Sequence, residues 1–353
     1  MRAILPSLLP MLCCPACPDE PDLKLASDGI AGEAVITGKL ICTRCDRNYP
    51  IREGVPRLLI GQESAEVKAA FTEQWRLRYG GRFEQESRVF WLENSESVRY
   101  LSENLLAKIE PGDWILDGGC GSGEKSRELA KLHPQAQIVA MDISETLPEL
   151  AQRARDLANL HIVQGDVSHP PLKSGRFAHL VSIGVLHHTP DTRKAFFALA
   201  PRLKASGRLV VWLYPHPSES PPFQKFYYAF RDKLFLGRGH RLSGSARLNL
   251  LRLLCLPVFL LMPVFLLSKA IQKRFYRHLS LADLYHGLVF MLYDDLAPLY
   301  QHRHSRLEVR NWYLEAGFAK VSEPQLGLYV GESRRGERGN VGGMTASGWG
   351  IRI

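Results

Sequence analysis

The amino-acid sequence predicts an α/β fold with a mainly parallel sheet, and three observations lead to that class. An apolar run, a glycine-rich loop and a helical pattern follow one another across residues 114–126. Short apolar β-type runs then alternate with helical spacing, as in sheets built from βαβ units. Two Cys-x-x-Cys pairs within the first 60 residues indicate a small separate module before the sheet.

Length and composition are those of a globular chain with two or three domains: 353 residues, of which 45% are hydrophobic and 23% charged. The net charge is +9. Residues 225–277 alone hold 11 basic residues and one acidic residue, a balance of +10. The basic excess therefore belongs to one segment and not to the chain as a whole.

Cysteine spacing in the first module predicts a structural zinc site, because two such pairs bring four thiolates into a tetrahedron. No cleavable secretory signal is evident, since Pro6 and Pro10 interrupt the apolar start. A cytoplasmic location is therefore expected, where paired cysteines bind metal rather than form disulfides. Redox chemistry of the thiols is the alternative. The predicted zinc ligands are Cys14, Cys17, Cys42 and Cys45.

Residues 48–59 read Asn-Tyr-Pro-Ile-Arg-Glu-Gly-Val-Pro-Arg-Leu-Leu. They complete a resemblance of this module to a zinc-ribbon family whose stand-alone members activate tRNA and protein methyltransferases. The resemblance implies that residues 1–60 are a zinc-ribbon domain fused to an enzyme. Because metal binding and folding of so small a module are coupled, chelation is expected to unfold the ribbon and leave the core sheet intact.

The glycine-rich loop follows an apolar strand-like run at 114–116. Glycine allows a ligand to touch the backbone and permits left-handed turns. Glu124 stands where the dinucleotide fingerprint requires its third glycine, so the spacing is Asp-x-Gly-x-Gly-x-Gly instead. This stretch resembles motif I of class I S-adenosylmethionine (SAM)-dependent methyltransferases, and implies a Rossmann-like sheet of seven strands. The resemblance implies that four motif residues bind SAM: Asp117, Gly119, Gly121 and Gly123.

Two acidic residues follow the next two predicted strands. The strand at 137–141 ends in Asp142, and a carboxylate at this place in a doubly wound sheet accepts the hydroxyls of a ribose. The strand at 162–164 leads to Asp166, where the resembled family has a polar side chain that meets the adenine amino group. Asp142 is therefore predicted to bind the ribose and Asp166 the adenine, although Asp after Gly is also common in turns.

The predicted fourth strand, 179–183, is followed by Gly-Val-Leu-His-His-Thr-Pro-Asp at 184–191. This loop resembles the type 11 branch of methyltransferases, which implies that it faces the sulfonium. His187 or His188 is predicted to remove a proton from an acceptor hydroxyl, since an unperturbed imidazole titrates near neutrality. The structural alternative is that one histidine packs and the other bonds to backbone. A fifth strand is predicted at 209–213.

The sheet pattern is interrupted between residues 214 and 305. The interruption holds the basic segment and an unbroken apolar run of 15 residues, 253–267, that contains Pro257 and Pro263. A spanning helix needs about 20 residues, so a bilayer crossing is not predicted. The prolines predict short helices, which form either a lid over the acceptor pocket or a surface that lies on anionic lipid.

The last part of the chain predicts a return to the sheet. A helix over 306–316 is expected, with Ser305 as its N-cap and Gly317 as its C-cap. A sixth strand is predicted at 318–322. A polar, glycine-rich hairpin loop at 331–340 and a seventh strand at 341–353 complete the prediction.

These patterns together predict a SAM-dependent methyltransferase that acts on a small-molecule or lipid-linked acceptor. An RNA acceptor and a non-catalytic SAM-binding module are the alternatives. The chain is expected to be cytoplasmic, with the basic segment as the part that meets the inner face of an anionic membrane. The predicted domains are a zinc ribbon (1–60), a helical cap (61–108), the SAM-binding core (109–213 with 306–353) and a helical insertion (214–305).

Overall fold

A computed structural model describes residues 7–31, 34–61, 65–77, 79, 95–106, 108–220, 225, 229, 244–266 and 281–333. The first module is a four-stranded antiparallel meander. A short 3-10 turn, Leu9–Met11, precedes it. Its strands are β1 (Leu23–Ala31), β2 (Ala34–Cys42), β3 (Asn48–Arg52) and β4 (Val55–Leu58).

Among the described residues the core contains seven strands, the number predicted, in the order β7-β6-β5-β8-β9-β11-β10. The strands from β5 to β9 pair in parallel, whereas β11 is antiparallel to both of its neighbours. The order reverses between β5 and β8, which is the position where doubly wound sheets bind ligands. The strands are β5 (Trp114–Gly118), β6 (Gln137–Asp142), β7 (Leu160–Gly165), β8 (Phe177–Ile183), β9 (Leu203–Trp212), β10 (Phe318–Gln325) and β11 (Leu328–Ser333).

The meander and the core form one continuous sheet of eleven strands. The junction is a parallel pairing of β4 with β7, in which Leu58 lies opposite Gly165. Backbone bonds outside the strands strengthen it, since the amide of Cys13 donates to the Pro171 carbonyl at 3.1 Å. The Arg202 guanidinium also pairs with Glu20 at 2.5 Å. The meander is therefore docked on the core through backbone, ion pairs and shared apolar packing.

Helices cover both faces of the core, because strand residues alternate between two apolar clusters. One cluster joins Leu116 and Val163 to Leu12, Leu40 and Leu58 of the meander. The helices are α1 (Ala65–Leu77), α2 (Ser95–Tyr100, continued by a π-turn at Leu101–Leu105), α3 (Glu124–Leu132), α4 (Leu147–Arg153), α5 (Thr192–Leu199), α6 (Gly244–Leu266), α7 (Leu281–Leu296) and α8 (Arg306–Glu315), with 3-10 turns at Leu186–His188, Ala200–Arg202 and Pro217–Glu219.

The C-terminal part of the core confirms some predictions and corrects one. The Ser305 hydroxyl accepts the amide of Glu308 at the start of α8, and Gly317 ends the helix with φ 86°. The predicted seventh strand at 341–353 lies outside the described residues. The strand that fills the seventh position is β11, and the hairpin turn lies at Gly327, φ 79°, instead of within 331–340. The left-handed turn at a single glycine makes this hairpin tight.

The apolar insertion also differs from its prediction. Helix α6 continues through Pro257 and Pro263, where several short helices were expected. Each proline removes one backbone donor, yet the helix runs without interruption from Gly244 to Leu266. Among the helices of the described segments, none combines the length and apolar composition needed to span a bilayer.

Candidate cofactor and acceptor site

The glycine loop between β5 and α3 packs closely against neighbouring side chains, and its glycines leave no room for side chains of their own. Gly119 has φ 85°, and a Cβ at this position would overlap the side chain of Val185. Gly121 has φ 57°, and its Cβ would lie 2.5 Å from the Trp75 ring. The amide of Gly119 donates to the Met141 carbonyl at 2.7 Å, which ties the loop to β6. Both glycines are therefore required by backbone angle and by space.

We expect Gly119→Ala to destabilise the protein more than Gly112→Ala. Both glycines have similar positive φ, 85° and 83°, but open space surrounds a Cβ on Gly112. Both changes therefore carry the backbone strain of about 1–2 kcal/mol, while only Gly119→Ala adds a clash with Val185. Urea unfolding of the two variants measures the difference, and equal losses would show that the crowding at Gly119 is unimportant.

Asp117 is fully buried at the end of β5. Its carboxylate pairs with the Lys125 ammonium at 2.9 Å and accepts the Ser126 hydroxyl at 2.6 Å. Lys125 and Ser126 belong to the first turn of α3, so Asp117 fixes the glycine loop at both ends. Its predicted contact with the cofactor stays a prediction.

Asp142 lies at the end of β6, next to the glycine loop. One carboxylate oxygen accepts the amide of Gly121 and the other the amide of Ser144, both at 2.9 Å. Burial raises the pKa of Asp142 above its ordinary 3.8, and these amides act in the opposite direction. The structure thus brings Asp142, the glycine loop and β5 together at the reversal of strand order, as a ribose site requires.

Asp166 follows β7 and is also buried. Its carboxylate accepts the amide of Ser168 at 2.8 Å, and its carbonyl accepts the amide of His169. This is the local turn that the sequence offered as the alternative. The adenine contact stays a prediction.

Helix α1 and Tyr79, which follows it, supply side chains to the site that sequence reasoning did not assign to it. Trp75 packs against Gly121, and the Tyr79 hydroxyl donates to the Ser122 carbonyl at 2.7 Å. The Thr72 hydroxyl accepts the amide of Glu145, three residues after Asp142. The i, i+4 spacing of Trp75 and Tyr79 was visible in the sequence, but the same spacing also occurs on core-facing helices.

His187 lies in the 3-10 turn after β8 and is fully buried. Its ring packs 4.0 Å from the ring of Tyr214 and 4.2 Å from that of His188. Among the described residues, neither ring nitrogen has a hydrogen-bond partner. Burial, followed by the nearby charges of His188 and other cations, holds the pKa of His187 well below its ordinary 6.5. The imidazole is therefore neutral at physiological pH.

His188 is anchored differently from its neighbour. Its Nδ1 lies 2.8 Å from the Tyr300 carbonyl, which fixes Nδ1 as the protonated nitrogen. The ring also contacts Phe71 of α1, with centroids 5.7 Å apart. The pair is arranged as in the structural alternative, because His188 bonds to backbone and His187 packs against an aromatic ring. Both ring nitrogens of His187 lack a hydrogen-bond partner in the described part of the chain.

A cavity with a volume of about 510 Å³ lies beside α1. Lys68, Arg76 and Glu145 line it, and the two cations pair with the Glu145 carboxylate. None of its lining residues belongs to the glycine loop or to the histidine pair. The cavity is therefore separate from the predicted cofactor and acceptor residues.

The four predicted zinc ligands converge in the meander. Their sulfur atoms all lie within 4.8 Å of one another, and no other group of this kind occurs among the residues described. The Cys42 sulfur accepts the amides of Arg44 and Cys45, at 3.3 and 3.4 Å. The Arg47 amide is the main cause that lowers the Cys45 pKa to about 7. Four converging thiols, with amides directed at one sulfur, fit a tetrahedral zinc ion.

Comparison with family models agrees with this geometry. A model described as "Methyltransferase domain" matches residues 115–207, and one described as "Trm112p-like protein" matches residues 6–54. The chain joins a Trm112p-like domain to a class I methyltransferase domain. The methyltransferase domain contains the glycine loop, Asp142, Asp166 and the histidine pair, and the Trm112p-like domain contains the four cysteines.

Individual relatives match parts of this chain. An uncharacterized chloroplastic methyltransferase of Arabidopsis thaliana is 23% identical over 63% of this chain and 69% of its own. A malonyl-[acyl-carrier protein] O-methyltransferase of Legionella pneumophila is 34% identical over 33% of this chain and 38% of its own. Across eight curated relatives, the match spans between 25% and 69% of the relative's length. A solved complex of the Haloferax volcanii Trm112 methyltransferase activator with a methyltransferase is 16% identical, with TM-score 0.43, over 74% of this chain and 98% of its own.

Proposed function

We propose that the protein transfers a methyl group from SAM to an acceptor oxygen on a small or lipid-linked molecule. The observation that carries this proposal is the juxtaposition of the glycine loop with Asp142 at the reversal of strand order. A carboxylate at the end of β6, beside a loop whose glycines bring the backbone close to it, suits a ribose joined to a small charged group.

This chain would hold SAM through separate parts of the site. The Asp142 carboxylate would accept the ribose hydroxyls, and the backbone at Gly119 and Gly121 would contact the remainder of the nucleoside and the amino-acid part. Trp75 already covers Gly121 and would exclude water from that side. Asp117 would act indirectly, because Lys125 and Ser126 engage its carboxylate.

SAM, when bound, supplies a methyl group on a sulfonium whose leaving group is already activated. The acceptor oxygen attacks the methyl carbon, the carbon–sulfur bond breaks, and S-adenosylhomocysteine (SAH) leaves. The protein contributes mainly by alignment and desolvation, worth up to about 7–11 kcal/mol in favourable intramolecular models. Burial of the histidine pair beside the loop supports a dry acceptor site.

We take His187 as the candidate base of the pair, because neither of its ring nitrogens has a hydrogen-bond partner among the described residues. A neutral imidazole accepts the hydroxyl proton as the oxygen attacks. An oxygen acceptor agrees with the name of the Legionella pneumophila O-methyltransferase, to which the core is similar.

We expect His187→Gln to lower kcat by about 10²-fold or more, the usual contribution of a positioned base. Because the pKa of His187 is lowered, the imidazole stays neutral at pH 6.5 and well below it. It is protonated, and can no longer act as a base, only at more acidic pH. The wild-type rate should thus be flat near neutrality and fall only in acid. His216→Gln, on an exposed histidine, is the matched control. A wild-type inflection above pH 7, or a His187→Gln rate within about threefold of wild type, would remove His187 from the reaction.

The proposed function itself is tested by incubating the full chain with methyl-labelled SAM and cell extract. The products are separated into lipid, small-molecule, RNA and protein fractions, with Asp142→Ala as the background. Label in the lipid or small-molecule fraction supports the proposal. Label in RNA alone would replace the acceptor class with the runner-up, and no label above background would favour a non-catalytic SAM-binding module.

A further inference from the structure

Helix α6 has one face packed inside the protein. Leu248, Leu251 and Cys255 are buried there against Val289 and Tyr293 of α7. In an α-helix each residue advances by about 100°, so these three α6 residues lie within one narrow arc. This arc is the face of α6 that packs against α7.

The opposite face of α6 is apolar and exposed. Leu253 is 67% exposed and Leu254 is 50% exposed, and Leu250 and Leu256 exceed 40%. The same rotation places these four leucines on an arc of about 160° that does not overlap the buried one. We call these four residues the leucine face. Contiguous exposed leucines of this kind mark an interaction surface, whereas single ones do not.

The net charge of the sequence segment that contains α6 favours one occupant. The helix lies within residues 225–277, which hold 11 basic residues and one acidic residue. A second copy docked on a two-fold axis would bring this cationic segment against itself. An anionic lipid surface instead offers an apolar layer for the leucines and phosphates for the cations.

We propose that the leucine face docks on the surface of an anionic lipid bilayer, with α6 lying in the plane of the interface. This proposal goes beyond methyl transfer and does not require it. The same helices also reach the cofactor site, since Leu77 of α1 packs in the α6–α7 cluster. Gln74 of α1, the residue before Trp75, donates to the Asp294 carboxylate of α7 at 2.7 Å. Docking would therefore place the covering helices of the site against lipid.

Sedimentation of the full chain with vesicles tests the proposal. Neutral vesicles contain phosphatidylcholine alone, and anionic vesicles contain added phosphatidylserine, both at low ionic strength. Wild type is expected in the pellet with anionic vesicles and in the supernatant with neutral ones. The double variant Leu253→Gln, Leu254→Gln should bind at least about tenfold more weakly, because burial of each leucine is lost. The matched control is Leu307→Gln, Leu314→Gln, on two leucines of α8 that are equally exposed, and it should sediment as wild type does.

Three results would overturn the proposal. Wild type could remain in the supernatant with anionic vesicles, or the Leu253, Leu254 variant could sediment as wild type does. Light scattering could also show that the wild type is a dimer and the Leu253, Leu254 variant a monomer. The leucine face would then be the contact between two copies of the chain. Circular dichroism melting of each variant separates loss of docking from loss of fold, and both changes replace exposed side chains only.

Discussion

Replacement of Asp142 by alanine is expected to weaken SAM binding at least tenfold. Asp142 accepts the amides of Gly121 and Ser144, and it is the carboxylate proposed to accept the ribose hydroxyls. Hydrogen bonds to a charged group contribute about 1.5–3 kcal/mol each, so even one lost bond gives about a tenfold change. Equilibrium dialysis with labelled SAM measures the affinity.

Two further variants separate the causes. Asp142→Asn keeps the shape of the side chain and removes its charge, so it should bind SAM more weakly than wild type and retain the fold. Asp156→Ala, on an exposed acidic residue, should leave the affinity unchanged. Burial raises the pKa of Asp142, so its carboxylate takes up a proton at a pH above the ordinary pKa of 3.8. The affinity of the wild type for SAM should therefore fall as the pH is lowered toward that value. Unchanged affinity in a folded Asp142→Ala protein would contradict the ribose assignment.

Loss of the cysteine site is expected to have the second large effect. The double variant Cys42→Ser, Cys45→Ser should lose its one zinc per chain, as measured by elemental analysis. Structural zinc contributes about 10–16 kcal/mol of apparent binding energy to small modules, so the Trm112p-like domain should unfold. Cys13→Ser is the matched control, because Cys13 is a buried neighbour outside the cluster and should keep its zinc.

Because the meander and the core share one sheet, the core is no longer expected to remain intact when the first domain unfolds. Strand β4 covers the edge of β7, and Leu12, Leu40 and Leu58 share an apolar cluster with Val163. Unfolding of the first domain would expose that cluster and the strand that ends at Gly165. We therefore expect a lower melting temperature for the core and weaker SAM binding. Zinc retained by the double variant, or core melting unchanged after its loss, would contradict this coupling.

The sequence was sufficient wherever a local pattern specifies the structure. The strand, loop and helix around Asp117 and the two Cys-x-x-Cys pairs each combine residue type with fixed spacing, and the structure contains both. Asp142 could be placed because it ends a predicted strand next to the glycine loop. Such features depend on neighbours in the chain, which the sequence displays directly.

The remainder depends on contacts between distant segments. The pairing of β4 with β7 joins residues about a hundred positions apart, and neither strand carries a signal for its partner. The contact of Trp75 with Gly121 likewise looks, in the sequence, like ordinary helix packing. The prediction did not include β11 although a signal existed, since Gly327 precedes a short β-type run, and the strand predicted at 341–353 lies outside the described residues. Short helices were predicted for the apolar run because Pro257 is unfavourable inside a helix, whereas the packing of α6 against α7 is not visible in the sequence.

The central claim is that the glycine loop and Asp142 form a SAM site, and calorimetric titration of the wild-type chain tests it most directly. Separate titrations use SAM, SAH and NAD at neutral pH. We expect one site per chain for SAM and for SAH, and no measurable heat with NAD, because Glu124 replaces the third glycine of the dinucleotide fingerprint. Binding of NAD, or no binding of SAM and SAH to the folded protein, would contradict it.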